Sequence, residues 1–230
     1  SCSCVSILVD EHTHRHESFP GRRERFPTRD VGGNVQEPTE RCGRMGFNCA
    51  RIEPLAEAYG ETEPLYGVET DHLETLPAAL ADGEYGWRDV VWVVRWHYRR
   101  YLGAYPDADR RDAEAAFERN DFEDVRAAIG DAVDAETPRN ALESLRSLRG
   151  VDVPVASAIL FFLDPGAYIV VGEREWIALE ATGALSASYP DSPTANDHER
   201  YLGPCETVAE RCDCDLRSLY LALIKHPNIY

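Results

Sequence analysis

One short stretch in the middle of the chain restricts its fold more than any other. Between Ala141 and Leu163 two helical patterns are separated only by Arg149-Gly150-Val151-Asp152. Leu142, Leu145 and Leu148 recur at i, i+3 and i+6, on one face of a first helix. Val155, Ile159 and Phe162 recur at i, i+4 and i+7, on one face of a second. Helices joined this tightly must lie against each other, and the small Ala156 and Ala158 let their axes approach. Gly150 stands where a helix terminus calls for positive φ, which glycine adopts without a Cβ penalty. Pro154 falls in the first turn of the second helix, where its missing N–H removes no helical bond. Such a turn directs main-chain N–H groups outward at a helix N-terminus, a ready site for a phosphate oxygen. It would grip a nucleic-acid backbone without reading sequence. The alternative is an ordinary helical hairpin packed in a core.

The remaining pattern after Met45 is also helical, so the fold class expected is all-α. Amphipathic spacing predicts helices over 71–81, 87–102, 107–119, 121–133, 137–148, 153–163, 173–181, 197–211 and 215–225. Asp121 and Thr137 followed by Pro138 supply N-terminal signals. Tyr168–Val171 is a short extended run, too brief to imply a sheet, and a Ser-, Pro- and Asp-rich loop is expected over 186–196.

Residues 1–44 differ in kind. They carry seven acidic and seven basic residues, so the net charge of −17 belongs to 45–230. They are expected to be a disordered tail or a non-native upstream extension, with translation beginning at Met45. Cys2, Cys4, His12, His14 and His16 have a metal-like composition but lie in this segment and are assigned no function. The layout of a signal peptide is missing, and no apolar run is long enough to span a bilayer. A cytoplasmic protein without membrane partners is expected, and its oligomeric state is not specified. An odd count of seven cysteines in such a chain predicts no disulfide framework. The basic residues are arginine almost throughout, Lys225 being the one lysine. Acid-rich, lysine-poor surfaces resemble those of proteins adapted to molar salt, where the Debye length is about 3 Å and self-repulsion is screened.

The run Leu145-x-x-Leu148-x-Gly150-Val151-x-Val153-Pro154-Val155-Ala156-Ser157-Ala158-Ile159-Leu160 resembles the helix-hairpin-helix of the HhH-GPD DNA glycosylase superfamily. Asp164-Pro165 and Tyr168 to Trp176 look like the segment that presents that superfamily's catalytic aspartate at a helix start. Val91-Trp92-Val-Val-Arg95-Trp96-His97-Tyr-Arg99-Arg100, Tyr201 to Cys205 and Asp215 to Leu219 are similar to an uncharacterised branch of those proteins. The resemblance spans residues 87–225 and implies an all-helical, DNA-glycosylase-like domain over 45–230.

Three departures bear on chemistry. Pro154 stands where the bifunctional branch has its nucleophilic lysine, so a Schiff-base mechanism lacks its nucleophile. Gly172 stands where the catalytic aspartate would open a helix. The adjacent Glu173 is the candidate replacement, although an i+1 side chain points about 100° away on a helix. An acid at a helix N-terminus is also favourable without any chemistry. Asp152 replaces the second hairpin glycine and turns a negative charge toward a DNA phosphate, unless a monovalent cation bridges the two. Cys205, Cys212 and Cys214 match one interval of the iron–sulfur branch but lack a fourth thiolate, so no cofactor is expected.

Two islands of positive charge complete the candidate interface: Arg88, Arg95, Arg99 and Arg100, then Arg139, Arg146 and Arg149 beside the hairpin. The DNA contacts expected are Arg149, Gly150, Val151, Asp152 and Val153 at the turn, with Arg146, Arg95, Arg99 and Arg100 around it. Trp92 and Trp96 would be core side chains or base-stacking platforms. The sequence thus supports a protein that binds double-stranded or damaged DNA, resembling a repair glycosylase without its usual Lys and Asp. Any remaining activity would be monofunctional hydrolysis of the glycosidic bond. The alternatives are a non-catalytic helical scaffold or interaction module, and chemistry relocated elsewhere on the fold.

Overall fold

Val153–Leu163 is apolar on every side, and a helix of that kind must be enclosed. The computed structural model describes residues 47–100 and 105–227, all within one compact unit, Cys42–Tyr230. Residues 1–46, including Met45 and the Cys- and His-rich tract, lie outside the described residues. Among the described residues a 3-10 turn, Cys49–Arg51, precedes ten helices and there is no strand. The helices are α1 (Ile52–Thr62), α2 (Tyr66–Asp82), α3 (Trp87–Arg99), α4 (Asp107–Phe117) and α5 (Phe122–Val133). They continue with α6 (Pro138–Arg146), α7 (Val153–Leu163), α8 (Glu173–Ala181), α9 (Ala195–Cys212) and α10 (Leu216–Ile224). None is long and apolar enough to cross a membrane.

The termini follow local chemistry. The Thr137 hydroxyl accepts the Asn140 N–H ahead of Pro138, as expected. Thr194 caps α9 in a reciprocal box with Asp197, and Asp215 caps α10. Asp121 occupies the N-cap of α5 without a side-chain cap bond. Two elements differ from expectation. α1 has no counterpart among the expected helices, although Ile52, Leu55, Ala56 and Tyr59 have helical spacing, because Pro54 and Gly60 break up its propensity. α2 starts five residues ahead of the apolar pattern.

Helix α7 is the hub. All of its residues except Pro154 are buried, and it packs against α2, α3, α6 and α9. The α3 side supplies Trp96, whose ring meets Phe162 edge-on at 4.8 Å. The opposite end of the core has Trp176 stacked on Tyr201 at 5.5 Å. Some of the polar groups inside this core are hydrogen-bonded to one another. Glu69 accepts Tyr59 Oη at 2.9 Å and Trp96 Nε1 at 3.1 Å. Ser157 of α7 accepts the Val171 N–H at 2.9 Å, fixing the extended run 168–171 just before α8.

The expectation of no disulfide is corrected. Packing of α1 on α10 brings the first and last described helices together, and Cys49 and Cys212 are bonded across a sequence separation of 163, with Cα atoms 5.0 Å apart. Counting cysteines could not reveal this, because the pairing depends on helix packing rather than on spacing. Removing the bond in a Cys49→Ser variant should cost about 2–4 kcal/mol of stability. Thermal melts followed by circular dichroism check this: dithiothreitol should lower the wild-type midpoint to that of the variant and leave the variant unchanged.

His198 on α9 is fully buried, and neither ring nitrogen has a hydrogen-bond partner among the described residues. Burial pulls its pKa from the ordinary 6.5 to about 4. His97 is lowered too, first by burial and then by Arg100. The unfolded chain therefore takes up protons that the native fold refuses as pH falls from 6.5 toward 4. The shift of His198 corresponds to about 3 kcal/mol over that window. Glu69, raised by burial, acts in the opposite sense. The comparison that isolates the imidazole is His198→Gln: urea titrations at several pH values should show less loss of stability on acidification than in the wild type.

Candidate functional site

α6 and α7 are joined by a short turn where expected, but its surroundings differ from an open anion site. Gly150 has φ +72°, as a glycine-specific turn requires. A Cβ at Gly150 would lie 2.7 Å from the Phe117 main-chain nitrogen and 2.9 Å from the Ala113 carbonyl oxygen. The glycine is thus needed twice, for its backbone angle and for the close approach of α4. Asn120, just beyond α4, clamps the preceding residue. Its Oδ1 accepts the Arg149 N–H at 2.9 Å and its Nδ2 donates to the Arg149 carbonyl at 2.9 Å. Arg149 itself reaches back to the Arg119 carbonyl at 3.3 Å.

At the start of α7 the Asp152 carboxylate accepts the Val155 N–H at 3.0 Å. An anion supplied by the chain therefore already occupies the positive end of the helix dipole. Although Asp152 as a residue is exposed, its carboxyl is set into this notch, and desolvation there raises its pKa. Val151 and Val153 are buried side chains of the core, so neither presents its side chain to a ligand, contrary to their place among the expected contacts. The expectation of outward, unengaged amides is corrected for Arg149 and Val155, whose N–H groups are bonded within the fold.

The second expected element, the start of α8, is in place. Gly172 is its N-cap without a side-chain bond, and Glu173 is its exposed first residue. The buried acid nearby is Glu175. It takes Arg100 Nη2 at 3.3 Å, and Arg100 Nη1 also approaches His97 Nδ1 at 2.6 Å and donates to the His97 carbonyl at 2.7 Å. Arg100 is 4% exposed, which corrects its assignment as a DNA contact. The cause is helical phase: twelve residues after Arg88, Arg100 points about 120° away from it, into the protein.

Arg88, Arg95 and Arg99 fall on one stripe, since seven and eleven residues return within about 20° of the same direction. All three are exposed along α3. They border a cleft of about 500 Å³ whose floor includes Val91, Trp92 and Trp96 and whose wall includes Glu118. Arg95 pairs with Glu118 at 2.6 Å and Arg99 with Glu114 at 3.3 Å, while Arg88 enters no ion pair among the described residues. Near the hairpin, Arg146 pairs with Glu143 at 3.0 Å and Arg139 with Glu199 at 3.0 Å. Such exposed pairs are worth only about 0–1 kcal/mol each and can exchange one anion for another.

The tryptophans are chiefly structural. Trp96 is buried and bonded to Glu69. Trp92 is half-buried, stacked on His72 at 3.5 Å with Phe162 edge-on, and Trp87 is stacked on Phe117 at 5.5 Å. Asn120 is the important residue that sequence reasoning passes over, because nothing local distinguishes an asparagine after α4 from any other loop residue. Among the described residues no group of three His, Cys, Asp or Glu side chains is arranged to hold a metal ion. Cys205 is buried within α9, and Cys212 is engaged by Cys49. No protein-family model, curated protein or solved structure matches the chain.

The Gly150→Ala variant tests the packed hairpin. Strain at positive φ and the clash with α4 should together cost about 1–3 kcal/mol, with Asn120→Ala having a smaller effect in the same direction. Denaturant midpoints measure both. A hairpin standing clear of α4 would leave Gly150→Ala with only the smaller conformational cost of about 1 kcal/mol.

Proposed function

We propose that this protein binds the phosphate backbone of DNA through α3 and lacks the base-excision chemistry of the glycosylases its hairpin resembles. The observation that carries the reading is the stripe of Arg88, Arg95 and Arg99 beside the α3 cleft, in a chain whose net charge is −17. Against that background, guanidinium groups aligned on one helix face form a local field suited to phosphate. Arg88 supplies a cation without an ion-pair partner among the described residues, and the exposed pairs of Arg95 and Arg99 can be exchanged for phosphate at little cost. The hairpin contributes less than its sequence implied, because Asp152 takes the position an incoming phosphate would use. Pro154 and Gly172 support the loss of the lysine and aspartate chemistry, and Glu173 stands exposed at the start of α8.

A non-catalytic scaffold is the second reading, favoured by one observation: the turn's clamp by Asn120 makes the hairpin an internal strut. Binding to a labelled duplex containing an abasic-site analogue, titrated across potassium chloride concentrations, separates the two. The triple variant Arg88→Gln, Arg95→Gln, Arg99→Gln should bind at least about tenfold more weakly. Its salt slope should be shallower by roughly 0.9 for each phosphate that the variant no longer neutralises. Base release should be undetectable in either protein. A wild-type chain with no affinity at any salt concentration leaves only the scaffold.

A further inference from the structure

Away from the α3 cleft, the sulfur chemistry gathers at the end of α9. Cys49, Cys212 and Cys214 all line one surface cleft of about 680 Å³, between α1 and the start of α10. Cys49 and Cys212 are bonded, and Cys214 is a half-buried free thiol. Between the last two lies Asp213 with φ 51°, the one non-glycine residue at positive φ among the described residues. That left-handed turn closes with the Cys214 N–H donating to the Ala209 carbonyl at 3.1 Å, which folds Cys214 back over the last turn of α9. A third sulfur thereby lines the same surface cleft as the disulfide. Cys205 takes no part, because it is fully buried in the core.

We infer that Cys214 is an internal exchange thiol for the Cys49–Cys212 bond. Its thiolate attacks Sγ of Cys212; a Cys214–Cys212 bond forms, the Cys212–Cys49 bond breaks, and Cys49 leaves as a thiolate. That thiolate takes up the proton Cys214 gave to solvent. One disulfide is replaced by another, so no external oxidant or reductant is consumed. The consequence is structural. The starting bond ties two chain positions 163 residues apart, whereas the product closes only a local loop. Exchange therefore releases the segment ahead of α1 from covalent attachment to α9. What still holds it there is non-covalent, including the bond from Arg211 Nη2 to the Phe47 carbonyl at 3.1 Å. Burial, with Asp215 and Asp213 alongside, raises the pKa of Cys214 and makes the exchange slow rather than immediate.

The sequence provides a direct assay. Cleavage after arginine places Cys212 and Cys214 together in the peptide 212–217 and Cys49 in the peptide 45–51. The full chain is incubated oxidised under argon, acid-quenched, alkylated and mapped without reduction. The expected result is a fraction of peptide 212–217 two hydrogens lighter, matched by an equal fraction of alkylated Cys49. In the Cys214→Ser protein the light peptide should vanish and all of Cys49 should stay cross-linked to Cys212. A wild-type map with only the Cys49–Cys212 cross-link after prolonged incubation, or with no such cross-link at the outset, overturns the inference.

Discussion

The structure depends on enclosing α7. A helix apolar on every face gains stability only when neighbours cover each of its sides, and each large side chain so buried contributes about 1.5–3 kcal/mol. Four helices meet that demand, and their directions fix most other features. α6 must approach α7 through the tight turn at Gly150. α3 packs on Phe161 and Phe162 through Trp92 and Trp96, and the neighbouring stripe of Arg88, Arg95 and Arg99 is left at the surface. The run after α7 must return along it, held by Ser157, before α8 can start.

Polar interactions inside the core set register more than they add stability. The Arg100–Glu175 pair is fully desolvated, and such pairs often do no better than apolar replacements. The pair joins the end of α3 to α8. Glu69 has a similar place between α1 and α3, joining Tyr59 to Trp96. These groups explain why a helix dense in Arg, Trp and His has two characters, one face inside and one outside.

The turn between α6 and α7 is closed by side chains of the fold itself. A turn that offers amides to phosphate and a turn that anchors a helix differ here by a few side chains. Asp152 fills the helix N-terminus with a negative charge from the chain itself, and Asn120 engages both sides of the Arg149 peptide. In molar salt, where exposed ion pairs are screened, internal hydrogen bonds of this sort remain effective. On the proposed reading the arginines of α3, rather than the turn, meet phosphate.

Much of the fold is legible in the sequence. Apolar periodicity, Thr137-Pro138, Gly150 and the unbroken apolar run of α7 are local signals, and local geometry alone makes them helices, a cap and a turn. The position of the α8 start after Tyr168–Val171 can be read in the same way. Other features exist only because distant segments meet. Arg100 looks like its arginine neighbours in sequence, yet helical phase and Glu175, seventy-five residues away, take it inside. The Asn120 clamp and the burial of Val151 and Val153 arise from α4 lying across the hairpin. The Cys49–Cys212 bond arises from α1 lying on α10. The order of residues determined which helices form and where they turn. Only their packing decided which charges face water, because burial belongs to pairs of surfaces and not to any one segment.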